Sequence, residues 1–163
     1  MVKIGLLSDT HGHIDANMLG FFKQVDEIWH AGDIGDILVL DKLKMEKPVR
    51  AVYGNIDNQE LRHEYPKTAI FKVEGVKVVL THIGGYPNRY APSIKKLLLN
   101  EKPTLFISGH SHILKVIYDK ELGLLHMNPG AAGVYGMHLV RTMVRFTIDG
   151  TNIKDLEVWE YKI

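Results

Sequence analysis

The chain has 163 residues, 45% of them hydrophobic, with twenty basic residues against nineteen acidic ones, nine histidines and no cysteine. The length suits one domain spanning residues 1–163, and a chain of that size buries roughly 70% of its unfolded surface without covalent staples. The missing cysteine excludes disulfides, iron–sulfur clusters and thiol nucleophiles, the formal charge of +1 argues against a nucleic-acid platform, and no apolar run is long enough for a membrane span, so a cytoplasmic protein is the expectation.

Val2 to Ser8 is a short apolar run of the kind found in a buried strand, and Asp15 can cap a helix running to Phe22. Glu27 to Ala31 and Val49 to Tyr53 predict two further buried strands, separated by a helix over Ile37 to Met45 that Pro48 ends. This alternation of β and α predicts a parallel sheet. Thr68 to Val73 and Val76 to Thr81, joined by Glu74-Gly75, predict a hairpin; Pro92 to Leu99 predicts a helix and Thr104 to Ser108 a strand. Beyond these, Leu114 to Tyr118, Leu124 to Met127, Thr142 to Ile148 and Ile153 to Trp159 are strand-like, with Asp149-Gly150 as a turn. Arg141 and Arg145 make Thr142 to Ile148 read as an edge strand guarded by charge. Two sheets packed face to face with helices outside satisfy both halves.

Five clusters carry metal-ligating groups: Asp9-Thr10-His11, Gly32-Asp33, Gly54-Asn55, Thr81-His82 and Gly109-His110-Ser111-His112. Each follows a predicted strand, so their side chains converge on one sheet edge, where open α/β folds bind ligands. Carboxylate, imidazole and amide oxygen form a mixed donor set suited to Mn, Fe(II), Ni or Zn and too rich in nitrogen for Mg or Ca. Asp9, His11, Asp33, Asn55, His82, His110 and His112 are too many for one ion with an open position. They suit two ions about 3.5–4 Å apart.

In order, Ser8-Asp9-Thr10-His11-Gly12, Ala31-Gly32-Asp33, Gly54-Asn55-Ile56-Asp57, Thr81-His82 and Gly109-His110-Ser111-His112 resemble the motifs of the calcineurin-like metallophosphoesterases, most closely the small bacterial and archaeal phosphodiesterases among them. The resemblance implies a four-layer α/β/β/α sandwich of two mixed β-sheets flanked by helices. It also implies two divalent transition-metal ions, Mn first and Ni, Fe or Zn as alternatives. Asp9, His11 and His112 would hold one, Asn55, His82 and His110 the other, with Asp33 bridging. A hydroxide shared by the ions would attack the phosphorus of a small phosphodiester in line. Small phosphate esters are then the partners, neither nucleic acid nor membrane is engaged, and homo-oligomerisation stays open. The alternative is a protein-binding scaffold with a degenerate site, as in the retromer subunit of eukaryotes, whose relatives lose metal-motif histidines.

Two positions depart from the family. Many members carry a proton-donating His after the motif Asn, where this chain has Ile56, so leaving-group protonation falls to bound water or to His13. Relatives often read His-Gly-His where this chain reads His82-Ile83-Gly84-Gly85, followed by Tyr86-Pro87-Asn88-Arg89-Tyr90. Arg89 is expected to contact the substrate phosphate and the tyrosines to shape the pocket. His13 sits in the metal loop and suits either pocket or surface, whereas His30 reads as a buried strand-end residue or a support for Asp33. His63, His126 and His138 read as structural or exposed, with His138 on a loop near the site, and Asp57 as a local brace for the Asn55 loop.

Overall fold

A computed structural model describes residues 1–163. In chain order the elements are β1 (Val2–Leu7), α1 (Ala16–Phe21), β2 (Glu27–His30), α2 (Ile37–Glu46), β3 (Val49–Ala51), α3 (Gln59–Glu64), β4 (Thr68–Val73), β5 (Val76–Thr81), α4 (Pro92–Glu101), β6 (Leu105–Ile107), β7 (Leu114–Asp119), β8 (Leu124–Pro129), β9 (Val140–Asp149) and β10 (Asn152–Lys162). They form two five-stranded mixed sheets, ordered β10-β9-β1-β2-β3 and β4-β5-β6-β8-β7. β1, β2 and β3 run parallel in the first, and β5, β6 and β8 in the second. No helix is long and apolar enough to cross a membrane.

Period-two alternation puts one set of side chains between the sheets and the other beneath the helices. Ile4 and Leu6 of β1, Trp29 of β2 and Val144 and Phe146 of β9 meet Val78 and Leu80 of β5, Leu105 and Ile107 of β6 and Met127 of β8 in the central layer. The oppositely facing Leu7, Ile28 and Met143 pack instead against Met18 of α1 and Val39, Leu40 and Leu43 of α2. On the outer face of the second sheet, Val79 and Phe106 cover Ile94 and Leu98 of α4. The result is the expected α/β/β/α layering. Asp15 and Asp36 cap α1 and α2 by accepting from Met18 N and Leu38 N, and Pro92 opens α4.

Two details differ from the sequence reading. β9 is not an edge strand: it pairs with both β1 and β10, and β10 forms the edge. Arg141 therefore works in the interior, whereas Arg145 is half-buried and also donates from Nη2 to Glu157 of β10 at 2.7 Å. Arg141 is buried, with Nε donating to Ala132 O at 2.7 Å and Nη2 to Asp15 Oδ2 at 3.0 Å, while Arg145 Nη1 donates to Phe21 O at 2.9 Å. Both lash β9 to α1 or its flanks. The six-residue helix α3 lies in a stretch without a predicted element; Asn58 caps it by accepting from Leu61 N, and Leu61 is its one buried residue.

Candidate metal centre

The strand ends gather the five motifs at one edge of the double sheet. The loops after β1 and β2 are zipped together: Asp9 N, His11 N and Gly12 N donate to Gly32 O, Asp33 O and Ile34 O. The loop after β6 is tied to that after β5 by Gly109 N donating to His82 O, and to β1 by His110 N donating to Asp9 Oδ2 at 3.1 Å. Asp9, His11, Asp33, His110 and His112 all have positive φ, between 45° and 73°. Left-handed backbone costs a residue with a Cβ on the order of 1–3 kcal/mol and persists only where the surroundings impose it. Five such residues in one cluster mark a place built for side-chain convergence, not for backbone comfort.

Two groups of donor atoms result, Asp9 with His11 and His112, and Asp33 with His82 and His110, each with its atoms within 4.8 Å of one another. The groups touch: His11 Nε2 lies 3.5 Å from Asp33 Oδ2, and His82 Nε2 lies 3.2 Å from Asp33 Oδ2 and 3.8 Å from Asp9 Oδ1. Asp33 thus faces both sets, as a bridging carboxylate must. Asn55 stands exposed at the rim and shares a recess of about 190 Å³ with His82. Its backbone carbonyl is held by Arg62 Nη2 at 3.0 Å.

The donor set fits divalent metal ions on evidence internal to the protein. Of five buried side-chain polar atoms without a hydrogen-bond partner, three are Asp9 Oδ1, His11 Nε2 and His82 Nε2. Buried polar atoms are seldom left unpaired, since desolvation without a partner costs about 1–3 kcal/mol each. His82 Nδ1 donates to Ala31 O at 2.8 Å, which fixes the tautomer and turns the Nε2 lone pair into the cluster. Electrostatics agree. Burial favours the neutral form of Asp9, but the imidazoles of His112 and His82 and the Ser8 hydroxyl outweigh it and hold the carboxyl below its usual value. Burial likewise opposes ionisation of Asp33, yet His82 and the Ile56 N–H keep its carboxyl low. Burial pushes His82 down while Asp33 and Asp9 push it further up, and His112 is raised by Asp9 against a smaller effect of burial. Negative charge and basic nitrogen are concentrated together, which is what a cation needs.

The surrounding shell is rigid. His30, wholly buried and pushed down to about 4 by desolvation, is neutral: Nδ1 accepts from Gly32 N at 3.1 Å and Nε2 bonds the Thr10 hydroxyl at 3.0 Å, which donates to Ile34 O. It therefore supports the Asp9 and Asp33 loops at once. Asp57 braces the Asn55 loop by accepting from Ile34 N, Gly35 N and Gly54 N. Ile56 has no proton to give from its side chain, but its N–H donates to Asp33 Oδ1 at 3.1 Å. Asn128 Nδ2 donates to Gly109 O and Ser111 Oγ, steadying the His110–His112 loop.

His13 and Arg89 stand outside the two donor groups. His13 Nε2 is 2.8 Å from Asp15 Oδ2, the same carboxylate that caps α1 and receives Arg141. Arg89 lines a separate pocket of about 370 Å³ that reaches His110. Arg62 and Tyr135 are neighbours of the site that were not read from the sequence as such, whereas His138 was expected on a loop near it. Arg62 holds the Asn55 loop, Nε also donating to Asp57 O at 2.8 Å. Tyr135 tilts over His11 with ring centroids 4.9 Å apart, and His138 meets the His112 ring edge-on at 5.0 Å, with Nε2 bonded to Gly133 O. The nearest sequence signal was the Gly133 and Gly136 pair around Tyr135, a turn-rich stretch after the last predicted active-site motif.

A "probable metallophosphoesterase" of Methanothermobacter thermautotrophicus is 32% identical over 95% of this chain and 90% of its own length. One of Mycoplasma pneumoniae is 31% identical over 80% of this chain and 79% of its own. Among solved structures, Vps29 of Chaetomium thermophilum superposes with a TM-score of 0.77 at 13% identity over 99% of both chains. A predicted phosphoesterase of Streptococcus pneumoniae does so with a TM-score of 0.68 at 20% identity, covering 99% of this chain and 98% of that one; at these identities the two show a shared fold. The sequence profile of the calcineurin-like phosphoesterase superfamily domain matches residues 2–151, which include every donor residue described above, and the chain belongs to that superfamily.

Proposed function

We propose that this phosphoesterase is a two-metal phosphodiesterase acting on small phosphodiesters, with Mn the first expectation for the ions and Ni, Fe or Zn as alternatives. The observation that carries the reading is the pair of abutting donor groups with three orphaned buried atoms aimed between them. Two divalent ions bound there would supply an activated water and neutralise charge developing on the phosphoryl oxygens. The chain's own residues do the rest. Asp33 is held on one oxygen by the Ile56 N–H and presents the other to both groups. His82 is locked in the tautomer that offers Nε2. Asp9, His11 and His112 complete one end, with His110 and Asn55 at the other. Arg89 is assigned to substrate contact. A scaffold role is supported by the fold shared with Vps29, but the complete donor set favours catalysis.

The Ile56 position shapes the expected specificity. His13, engaged by Asp15, would have to leave that carboxylate to protonate a leaving group. General acid catalysis is worth roughly 10²–10⁴ in rate, so its absence falls hardest on poor leaving groups. An aryl diester such as bis(p-nitrophenyl) phosphate is expected to turn over at least about a hundredfold faster than a dialkyl phosphate, and Arg89→Ala is expected to raise KM for the aryl diester several-fold. Equal rates on aryl and alkyl diesters would contradict the unassisted leaving group, and unchanged kinetics in Arg89→Ala would remove Arg89 from the site.

A further inference from the structure

The pocket beside His110 holds, besides Arg89, a cation that the reaction at phosphorus does not use. It occupies about 370 Å³ between the loop from Ile83 to Ala91, the loop after β6, the start of β7 and the β8 residues His126 and Asn128. Arg89 and Lys115 both line it, and no Asp or Glu does. Lys115 is the cross-strand partner of Asn128, the residue that steadies the His110–His112 loop, so its stem starts next to the donor cluster. Its ammonium lies 4.1 Å from the centre of the Tyr86 ring. At the floor, His126 is 1% exposed, and its Nδ1 donates to Phe106 O at 3.2 Å, which leaves Nε2 as an acceptor. Desolvation pushes this imidazole down to about 4, so it adds no charge.

Two cations without a carboxylate in a concave site attract an anion. The phosphoryl group being cleaved would have its charge met at the metal centre and by Arg89, which leaves Lys115 to meet a second anion. We propose that this pocket selects esters whose arm carries a second phosphate, and that Lys115 is the specificity-determining residue that reads it. The proposal rests on the phosphoesterase reading above and names the substrate class for the same site. Tyr86 offers the arm a flat face, and His126 Nε2 a place for a hydroxyl or amide donor.

A matched pair of esters tests it: thymidine 5′-(p-nitrophenyl phosphate), and the same ester with a phosphate on its 3′ oxygen. Both release p-nitrophenol, and they differ only in the second phosphate. The phosphorylated ester is expected to have a kcat/KM at least about tenfold higher, since a charge-assisted hydrogen bond is worth about that factor. Lys115→Gln should reduce the ratio of the two values about tenfold, Lys115→Arg should keep most of it, and Lys72→Gln, exposed on β4, should leave the ratio unchanged. Calorimetric binding of thymidine 3′,5′-bisphosphate against thymidine 5′-monophosphate gives a readout free of turnover. The bisphosphate should bind tighter, and Lys115→Gln should close the gap. If neither ester is cleaved but that gap depends on Lys115, the catalytic reading fails and the pocket stands. A bisphosphate that binds no tighter than the monophosphate, or an advantage that survives Lys115→Gln, overturns the proposal.

Discussion

Asp33→Asn is expected to lower kcat/KM for a phosphodiester by about a thousandfold while leaving the fold intact. The substitution keeps the shape and the acceptor for Ile56 N, which Asp33 Oδ1 now serves. On the other side it replaces Oδ2 by an amide NH₂, a donor without a lone pair, facing His82 Nε2 at 3.2 Å and His11 Nε2 at 3.5 Å. A carboxylate that would serve two metal positions at once is lost together with its charge, and losses of a single electrostatic contact in such sites already reach 10²–10³. The matching measurement pairs steady-state kinetics with metal content: the variant should retain its far-UV spectrum and hold fewer than two ions per chain. Activity within tenfold of the parent would remove Asp33 from the bridging role.

Gly54→Ala should be a strongly damaging small substitution near the site. A Cβ at position 54 would stand 2.3 Å from Asp33 N and 2.1 Å from Asp33 Oδ1. The first of these is backbone, already ordered by the Asp33 and Asp57 network, and has no room to retreat. Overpacking costs typically 1–3 kcal/mol; against a backbone atom this close the upper end is expected, and in a chain of this size about 3 kcal/mol corresponds to roughly 6–12 °C in Tm. Activity should fall with it, because any shift of residue 54 moves the Asn55 carboxamide and the bridging carboxylate together. Thermal unfolding and kinetics on the same preparation check both; a Tm within 2–3 °C of the parent, about 1 kcal/mol by the same scaling, would show that the loop has slack.

The site was legible because its chemistry is local: each donor sits in a two- to four-residue motif directly after an apolar strand, and strand ends in an α/β fold must converge. Layering followed from the same alternation, since Leu6 and Leu7 can only face opposite sides of β1. What escaped the reading depends on partners distant in sequence. Arg141 and Arg145 resemble edge guards until β10 is placed outside β9, at which point their guanidinium groups have backbone carbonyls near α1 to satisfy. The short helix α3 has one buried residue and so no periodicity to detect. Its Arg62 is four residues beyond Ile56–Asn58 and acts backwards on Asn55, a contact only the folded turn creates. Tyr135 comes to His11 because Gly133 N donates to Asp9 O, a link across more than a hundred residues.

The most direct test is metal reconstitution of the stripped protein. Chelated and then titrated with Mn, Ni, Fe(II) or Zn while hydrolysis of bis(p-nitrophenyl) phosphate is followed, the protein is predicted to be inactive without metal. It should regain activity with at least one of these ions, saturating at two equivalents per chain. No hydrolysis of mono- or diesters with any of these ions, or full activity in the presence of chelator, would contradict a two-metal phosphodiesterase.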